Sequence, residues 1–136
     1  MLRNITEEVY KNKIMAKKVA LVDDEPNILL SLEFLIKRAG YDVQTATDGD
    51  AGLALVENWH PDLLILDVNM PKRDGFEVCQ SLRGNPDFGN LKIIMLTAKG
   101  REVEREKGLA IGADDYVTKP FSTQEITDKV KALLDN

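Results

Sequence analysis

The sequence predicts an α/β fold, with a parallel five-stranded sheet covered by helices on both faces. Three observations predict it. Segments of strand and helix character alternate five times from Val19 onward, the pattern of repeated right-handed βαβ crossovers. Two strand segments, Val19-Ala20-Leu21-Val22 and Leu63-Leu64-Ile65-Leu66, are apolar without interruption, as strands buried on both faces of a sheet must be. Each run stops at an acid: Asp23 and Asp24 follow the first, Asp67 the second.

The elements can be justified in order. Strand 1 covers residues 19–22. A helix opens at Pro26, a favoured first helical position, with Asp23, Asp24 or Glu25 placed to cap it. Its stripe Ile28, Leu29, Leu32, Leu35 and Ile36 has helical spacing, and Gly40 stops it. Strand 2 covers about 42–46. The second helix follows Asp48, a good N-cap, and runs to about Trp59, which is assigned a packing role. Strand 3 covers 63–66, and the third helix runs from Asp74-Gly75 to Gly84. Gly84-Asn85-Pro86-Asp87 reads as a loop. Strand 4 covers 93–96. The fourth helix, about 101–110, is heavily charged, which suits a solvated face. Asp114 and Asp115 read as turn residues before a fifth strand centred on Tyr116–Val117. The last helix opens with a capping box, Ser122-x-x-Glu125, and carries Ile126, Val130, Leu133 and Leu134. Residues 1–16 differ from the rest: polar, with Leu2, Ile5 and Val9 at helical spacing. They read as an extension, either a tail or a short helix, ahead of a domain spanning 17–136. Five strand–helix units fit the flavodoxin-like strand order 2-1-3-4-5.

Bulk properties narrow the function. The 136 residues suit one domain. A net charge of −5 disfavours direct nucleic-acid binding and a polybasic membrane anchor. No apolar run approaches the ~18 residues of a membrane-spanning helix, and Glu7 and Glu8 interrupt any signal-peptide core. The single cysteine, Cys79, cannot form an internal disulfide, reads as buried core, and suits a reducing, cytoplasmic setting.

The chemistry concentrates at one edge. In the order 2-1-3-4-5, strands 1 and 3 are neighbours, so Asp23, Asp24 and Asp67 crowd the carboxyl end of the sheet, where open α/β sheets bind ligands. Like charges so close repel unless a cation sits among them. Strand 4 ends at Thr97, and Lys119 follows strand 5. Three acids, a hydroxyl and an ammonium suit magnesium and a phosphoryl group. No Cys/His cluster suggests zinc, and His60 reads as a loop residue. Neither a Walker A loop nor a dinucleotide fingerprint is present.

At these residues the chain becomes similar to a known family. Leu21-Val22-Asp23-Asp24-Glu25-Pro26, Leu66-Asp67-Val68-Asn69-Met70-Pro71, Leu96-Thr97-Ala98 and Gly112-Ala113-Asp114-Asp115-Tyr116-Val117-Thr118-Lys119-Pro120-Phe121 resemble the receiver domain of two-component response regulators, over about Lys17 to the C-terminus. The resemblance implies that Asp67 is the phosphoacceptor. It implies magnesium, for which Mn2+ can substitute, held by Asp24, Asp67 and the backbone carbonyl of Asn69, with Asp23 reaching it directly or through water. Lys119, the Thr97 hydroxyl and the Ala98 backbone would meet the phosphoryl oxygens. Tyr116 would turn inward as the switch, and a cis bond would precede Pro120. Side chains at Asn69 and Lys99 would tune phosphoryl lifetime. A histidine kinase or phosphotransfer protein would supply the phosphoryl group. The fourth helix, fifth strand and fifth helix would form the output surface, with homodimerisation also open. Catalysis would be limited to the domain's own phosphorylation and dephosphorylation.

Two other functions compete. A haloacid-dehalogenase-type phosphatase also uses a strand-end Asp, magnesium, a Thr and a Lys. It needs a second acid two residues after the nucleophile, and this chain has Asn69 there, which cannot shuttle the proton. A pseudo-receiver acting only as a binding module would lack part of the site, and here nothing is missing.

Overall fold

The computed structural model describes residues 16–98 and 100–135. Apart from Ala16, the expected N-terminal extension lies outside the described residues, as does Lys99. The strands are β1 (Lys18–Val22), β2 (Asp42–Ala46), β3 (Leu63–Asp67), β4 (Lys92–Ala98) and β5 (Asp115–Lys119). The helices are α1 (Pro26–Arg38), α2 (Gly49–Trp59), α3 (Gly75–Arg83), α4 (Glu102–Ala110) and α5 (Thr123–Leu134). The strands lie in the order β2-β1-β3-β4-β5, every neighbouring pair parallel. This is the expected flavodoxin-like doubly wound sheet. No helix among the described residues is long and apolar enough to cross a membrane.

Side-chain alternation along the strands divides the core into two layers. Leu21 of β1, Ile65 of β3 and Leu96 of β4 turn to one face, where they meet Leu32 and Ile36 of α1 and Ile126 and Val130 of α5. Val22, Leu66 and Met95 turn to the other face, against Val56 of α2 and Val78, Cys79 and Leu82 of α3. Each such side chain stabilises the fold by about 1.5–3 kcal/mol on burial. Cys79 is core as expected, and burial pushes its thiol up from the ordinary value.

The helix starts follow capping chemistry. Asp48 accepts the Ala51 N–H at 2.7 Å, Asp74 the Glu77 N–H at 2.9 Å and Ser122 Oγ the Glu125 N–H at 3.0 Å. At α1 the candidate caps take different parts. Glu25 occupies the N-cap position but makes no side-chain cap bond. Asp23 Oδ1, two residues earlier, accepts the Glu25 N–H at 2.9 Å instead. The far end of the fold is tied as well: the Tyr41 hydroxyl lies 3.2 Å from both carboxylate oxygens of Asp135, just past α5. Burial first, then the charge of Asp135, push that hydroxyl up to about 12.

Other boundaries shift for physical reasons. β4 continues through Thr97 to Ala98 and β5 through Lys119, because the two strands stay paired to Ala98–Lys119. Asp115 is therefore a strand residue, and its carboxylate holds Lys129 at 3.0 Å. Asp114 stays in the turn, where its Oδ2 accepts from the Ile93 N–H at 2.8 Å and from Arg83 at 2.9 Å. The loop after α3 contains a 3-10 turn, Pro86–Phe88, capped by the Asn85 side chain, and it seats Phe88 in the core. His60 closes α2 in a left-handed conformation and stacks on Phe88. The charges of α4 are not all solvated: Glu104 is 7% exposed and pairs with Arg101 at 3.0 Å.

Two positions test this packing. Ile65→Ala should cost about 2–5 kcal/mol through the cavity left in the central strand. A Cβ on Gly75 would meet the Asp67 carbonyl oxygen and lie 2.9 Å from Val68 Cα. Gly75→Ala should therefore cost about 1–3 kcal/mol as backbone shifts. Urea midpoints at unchanged m-values check both.

Candidate functional site

Strand register assembles the site. Val22 pairs with Leu66, so Asp23 leaves β1 beside Asp67 at the end of β3. Asp67 pairs with Leu96, which places Thr97 one step beyond it on β4. Thr97 pairs with Thr118 and Ala98 with Lys119, so Lys119 stands at the same edge. Residues from four separated segments of sequence therefore meet because the parallel pairing brings the carboxyl ends of β1, β3, β4 and β5 to one edge. Val68 N–H donates to Leu96 O at 3.1 Å and Gly75 N–H to Val68 O at 2.8 Å, folding the loop after β3 back onto the sheet. The Lys119–Pro120 peptide bond is cis, as the resemblance implied.

Lys119 is the hub. Its Nζ lies 2.8 Å from Asp23 Oδ2, 3.0 Å from Glu25 Oε1 and 3.3 Å from Asp67 Oδ1. Asp23 is 0% exposed and Asp67 5%. The contact with Asp23 Oδ2 is ionic but lacks hydrogen-bond geometry, and that oxygen has no hydrogen-bond partner. Asp24 is exposed to solvent.

The electrostatics follow from burial. Removal from water, then the charge of Asp23, raise the Asp67 carboxyl from 3.8 to about 7; Lys119 acts against the rise, and Asp24 adds slightly to it. For Lys119, burial pulls the ammonium down, but its contacts with Asp23 and Glu25 and the charge of Asp67 more than offset this and hold it above the ordinary lysine range. Lys119 is thus a permanent cation beside a carboxyl that changes charge near neutrality.

The remaining expected residues surround this centre. Thr97 is 2% exposed, on β4, while Ala98 after it is exposed. A cleft of about 230 Å³ lies between them and α4, lined also by Arg105, Tyr116 and Thr118. Tyr116 is half-buried, its ring 4.7 Å from the Arg105 guanidinium carbon and 5.0 Å from Lys129 Nζ. Asn69 is exposed in the loop after β3.

The donor set fits a hard divalent cation. Carboxylate oxygens of Asp23, Asp24 and Glu25 lie within 4.8 Å of one another. All are oxygens, as magnesium prefers. Buried Asp23 Oδ2 has the Lys119 ammonium 2.8 Å away as its charge partner and makes no hydrogen bond, so it keeps capacity for a further cation. Asp67 falls outside that trio and is tied to it through Lys119. Glu25 is the residue that sequence reasoning missed, having been assigned only a cap. Its signal was adjacency to the acidic pair in the turn leaving β1.

A family model described as the response regulator receiver domain matches residues 19–131. The alkaline phosphatase synthesis transcriptional regulatory protein PhoP of Bacillus subtilis (strain 168) is 49% identical over 120 residues, covering 88% of this chain and 49% of that protein. The chain thus spans about half the length of this curated relative. A putative response regulator from Chloroflexus aurantiacus J-10-fl superposes with a TM-score of 0.85 at 36% identity, over 89% of this chain and 99% of its own. The receiver domain of the sensor histidine kinase PA1611 from Pseudomonas aeruginosa PAO1 gives 0.82 at 26% identity, over 89% and 99%. That domain is described with a magnesium ion coordinated in its active-site cleft. The comparisons give the haloacid-dehalogenase-type alternative no support.

The raised Asp67 carboxyl has a thermodynamic consequence. The folded chain holds this proton more tightly than the unfolded chain does, so the associated stability is present in full below about pH 4 and is lost as pH rises through about 7. Asp67→Asn should therefore raise Tm in metal-free buffer at pH 8, and the gain should shrink towards pH 4. Paired melting curves at the two pH values check it.

Proposed function

We propose, for a chain that belongs to the response regulator receiver domain family, that Asp67 accepts a phosphoryl group and that the charge so gained switches the domain's output surface. The observation that carries this reading is the Lys119 ammonium, in contact at once with Asp67 and with the acid trio on β1's exit. A nucleophilic carboxylate must be ionised, and a carboxyl raised to about 7 is partly ionised at neutral pH. An Asp67 oxygen attacks the phosphorus of a phosphohistidine on a histidine kinase or phosphotransfer protein. The O–P bond forms, the N–P bond breaks, and the imidazole leaves with the electron pair. Lys119 neutralises one phosphoryl oxygen, the Thr97 hydroxyl donates to another, and the exposed edge at Ala98 supplies its backbone N–H.

Asp23, Asp24, Asp67 and the backbone carbonyl of Asn69 would hold the magnesium, which when bound supplies neutralising charge for the acids and the phosphoryl oxygens. Manganese, also oxygen-preferring, would substitute. The resulting phospho-acyl bond is hydrolysed slowly at the same site, so the domain carries a limited self-phosphorylation and self-dephosphorylation activity and no turnover of outside substrates.

The cleft beside Thr97 supports the switch reading for Tyr116, because it leaves room for the ring once Thr97 is drawn to the phosphoryl group. Output through α4, β5 and α5 is supported by Val103 and Leu109, apolar and exposed on α4. Self-association is included in the proposal. Direct nucleic-acid or membrane binding is not, since the net charge is −5. A cytoplasmic location and a receiver spanning residues 17–136, with 1–16 as an extension, complete the reading.

Acetyl phosphate with magnesium should give one phosphoryl adduct per chain by intact mass spectrometry, lost with EDTA and in Asp67→Asn. An adduct that survives in Asp67→Asn would reassign the acceptor. Thr97→Ala should weaken beryllofluoride binding by roughly tenfold or more, the worth of a hydrogen bond to a charged group. Sustained turnover of a small phosphate ester, with product far exceeding protein, would favour a phosphatase instead. Trp59 is a poor reporter: it sits beside Lys18 at the opposite end of β1 from the acids.

A further inference from the structure

We infer that Glu25 is an internal competitor of the phosphoryl group: its carboxylate holds Lys119 in the unphosphorylated domain and must release it for the phosphoryl oxygens. The inference rests on the reading of Asp67 as phosphoacceptor and gives Glu25, one of the acid trio, a positioning role toward Lys119.

Lys119 Nζ is surrounded by three carboxylates and has three protons to donate. A phosphoryl group on Asp67 brings anionic oxygens to the same ammonium, so one existing partner has to give way. Exposure decides which. Asp23 is fully buried, and its Oδ1 is already committed to the Glu25 N–H. That bond and its burial hold the Asp23 carboxylate in place, so it cannot swing away from Lys119 as an exposed side chain can. Asp67 is the modified group and cannot leave. The Glu25 side chain is 59% exposed, so water replaces Lys119 at almost no cost once the contact breaks. The 3.0 Å hydrogen bond from Lys119 Nζ to Glu25 Oε1 is therefore the exchangeable one.

Competition is reciprocal. A contact present only without the phosphoryl group lowers affinity for that group by the free energy of the contact. Because Glu25 is largely exposed, the effect is modest. Removing the contact should tighten binding of a phosphoryl mimic by roughly two- to fivefold, the range for exposed ion pairs.

Two variants separate contact from charge. Glu25→Gln removes the charge and keeps the length. Glu25→Asp keeps the charge but shortens the side chain by one methylene, about 1.5 Å of reach, while Lys119 stays pinned by Asp23 and Asp67. Beryllofluoride affinity is measured by titration at saturating magnesium for wild type and both variants, and magnesium affinity is measured alone. The expected result is tighter beryllofluoride binding in both variants at saturating magnesium. Tightening in Glu25→Gln only would mean a bare charge effect and overturn the inference. So would unchanged or weaker beryllofluoride binding in both. Weakened magnesium binding in Glu25→Gln without tighter beryllofluoride binding would assign Glu25 to the metal alone and overturn it as well. If the wild type itself binds no beryllofluoride with magnesium, the phosphoacceptor reading falls, and the inference with it.

Discussion

One ammonium makes this sheet edge tenable. Asp23 and Asp67 are both buried at the ends of neighbouring central strands, where their charges repel and little water reaches them. Lys119, from the last strand, stands between them and reaches Glu25 as well. Without a cation there, two buried carboxylates could not both ionise at moderate pH. Even with it, Asp67 remains poised near neutrality. The site is thus anionic in excess and only partly compensated, a charge balance that favours a divalent cation. On the proposed function, a further negative group would be accepted at the same place with that cation bound.

The geometry that brings these groups together is set by apolar residues remote from the chemistry. Leu63 to Leu66 and Val19 to Val22 are buried throughout, and a shift of one residue in either strand would turn every side chain to the other face. Register is therefore strongly determined by the two core layers, and the acids inherit their separation from it. Gly75 contributes from the loop side, since a Cβ there would collide with the backbone at Asp67.

Much of this could be read from residues alone. Continuous apolar runs declared the central strands, and Pro26, Asp48, Asp74 and Ser122 declared the helix starts. Asp23, Asp67, Thr97 and Lys119 could be grouped because strand order alone brings strand ends together. What escaped depends on contacts distant in sequence. The Glu25–Lys119 pair spans 94 positions, and nothing local in an acid beside a turn announces an ammonium from the far strand. Burial of Glu104 was hidden because a run of charged residues has the same local pattern whether one member packs inward or none does. β5 was drawn too short because an edge strand, half exposed and polar at both ends, lacks the continuous apolar signature of its neighbours.

The tie between Tyr41 and Asp135 has a mechanical consequence. It clamps the trailing end of α5 to the flank of the sheet, far from the edge where the acids lie. Its phenol, held near 12, keeps its proton across the whole range in which proteins ordinarily work. A polypeptide grafted behind α5 would therefore leave from a fixed point with a fixed heading. It would behave as a boom on a rigid mount, and small rotations of α5 about that mount would be magnified along its length.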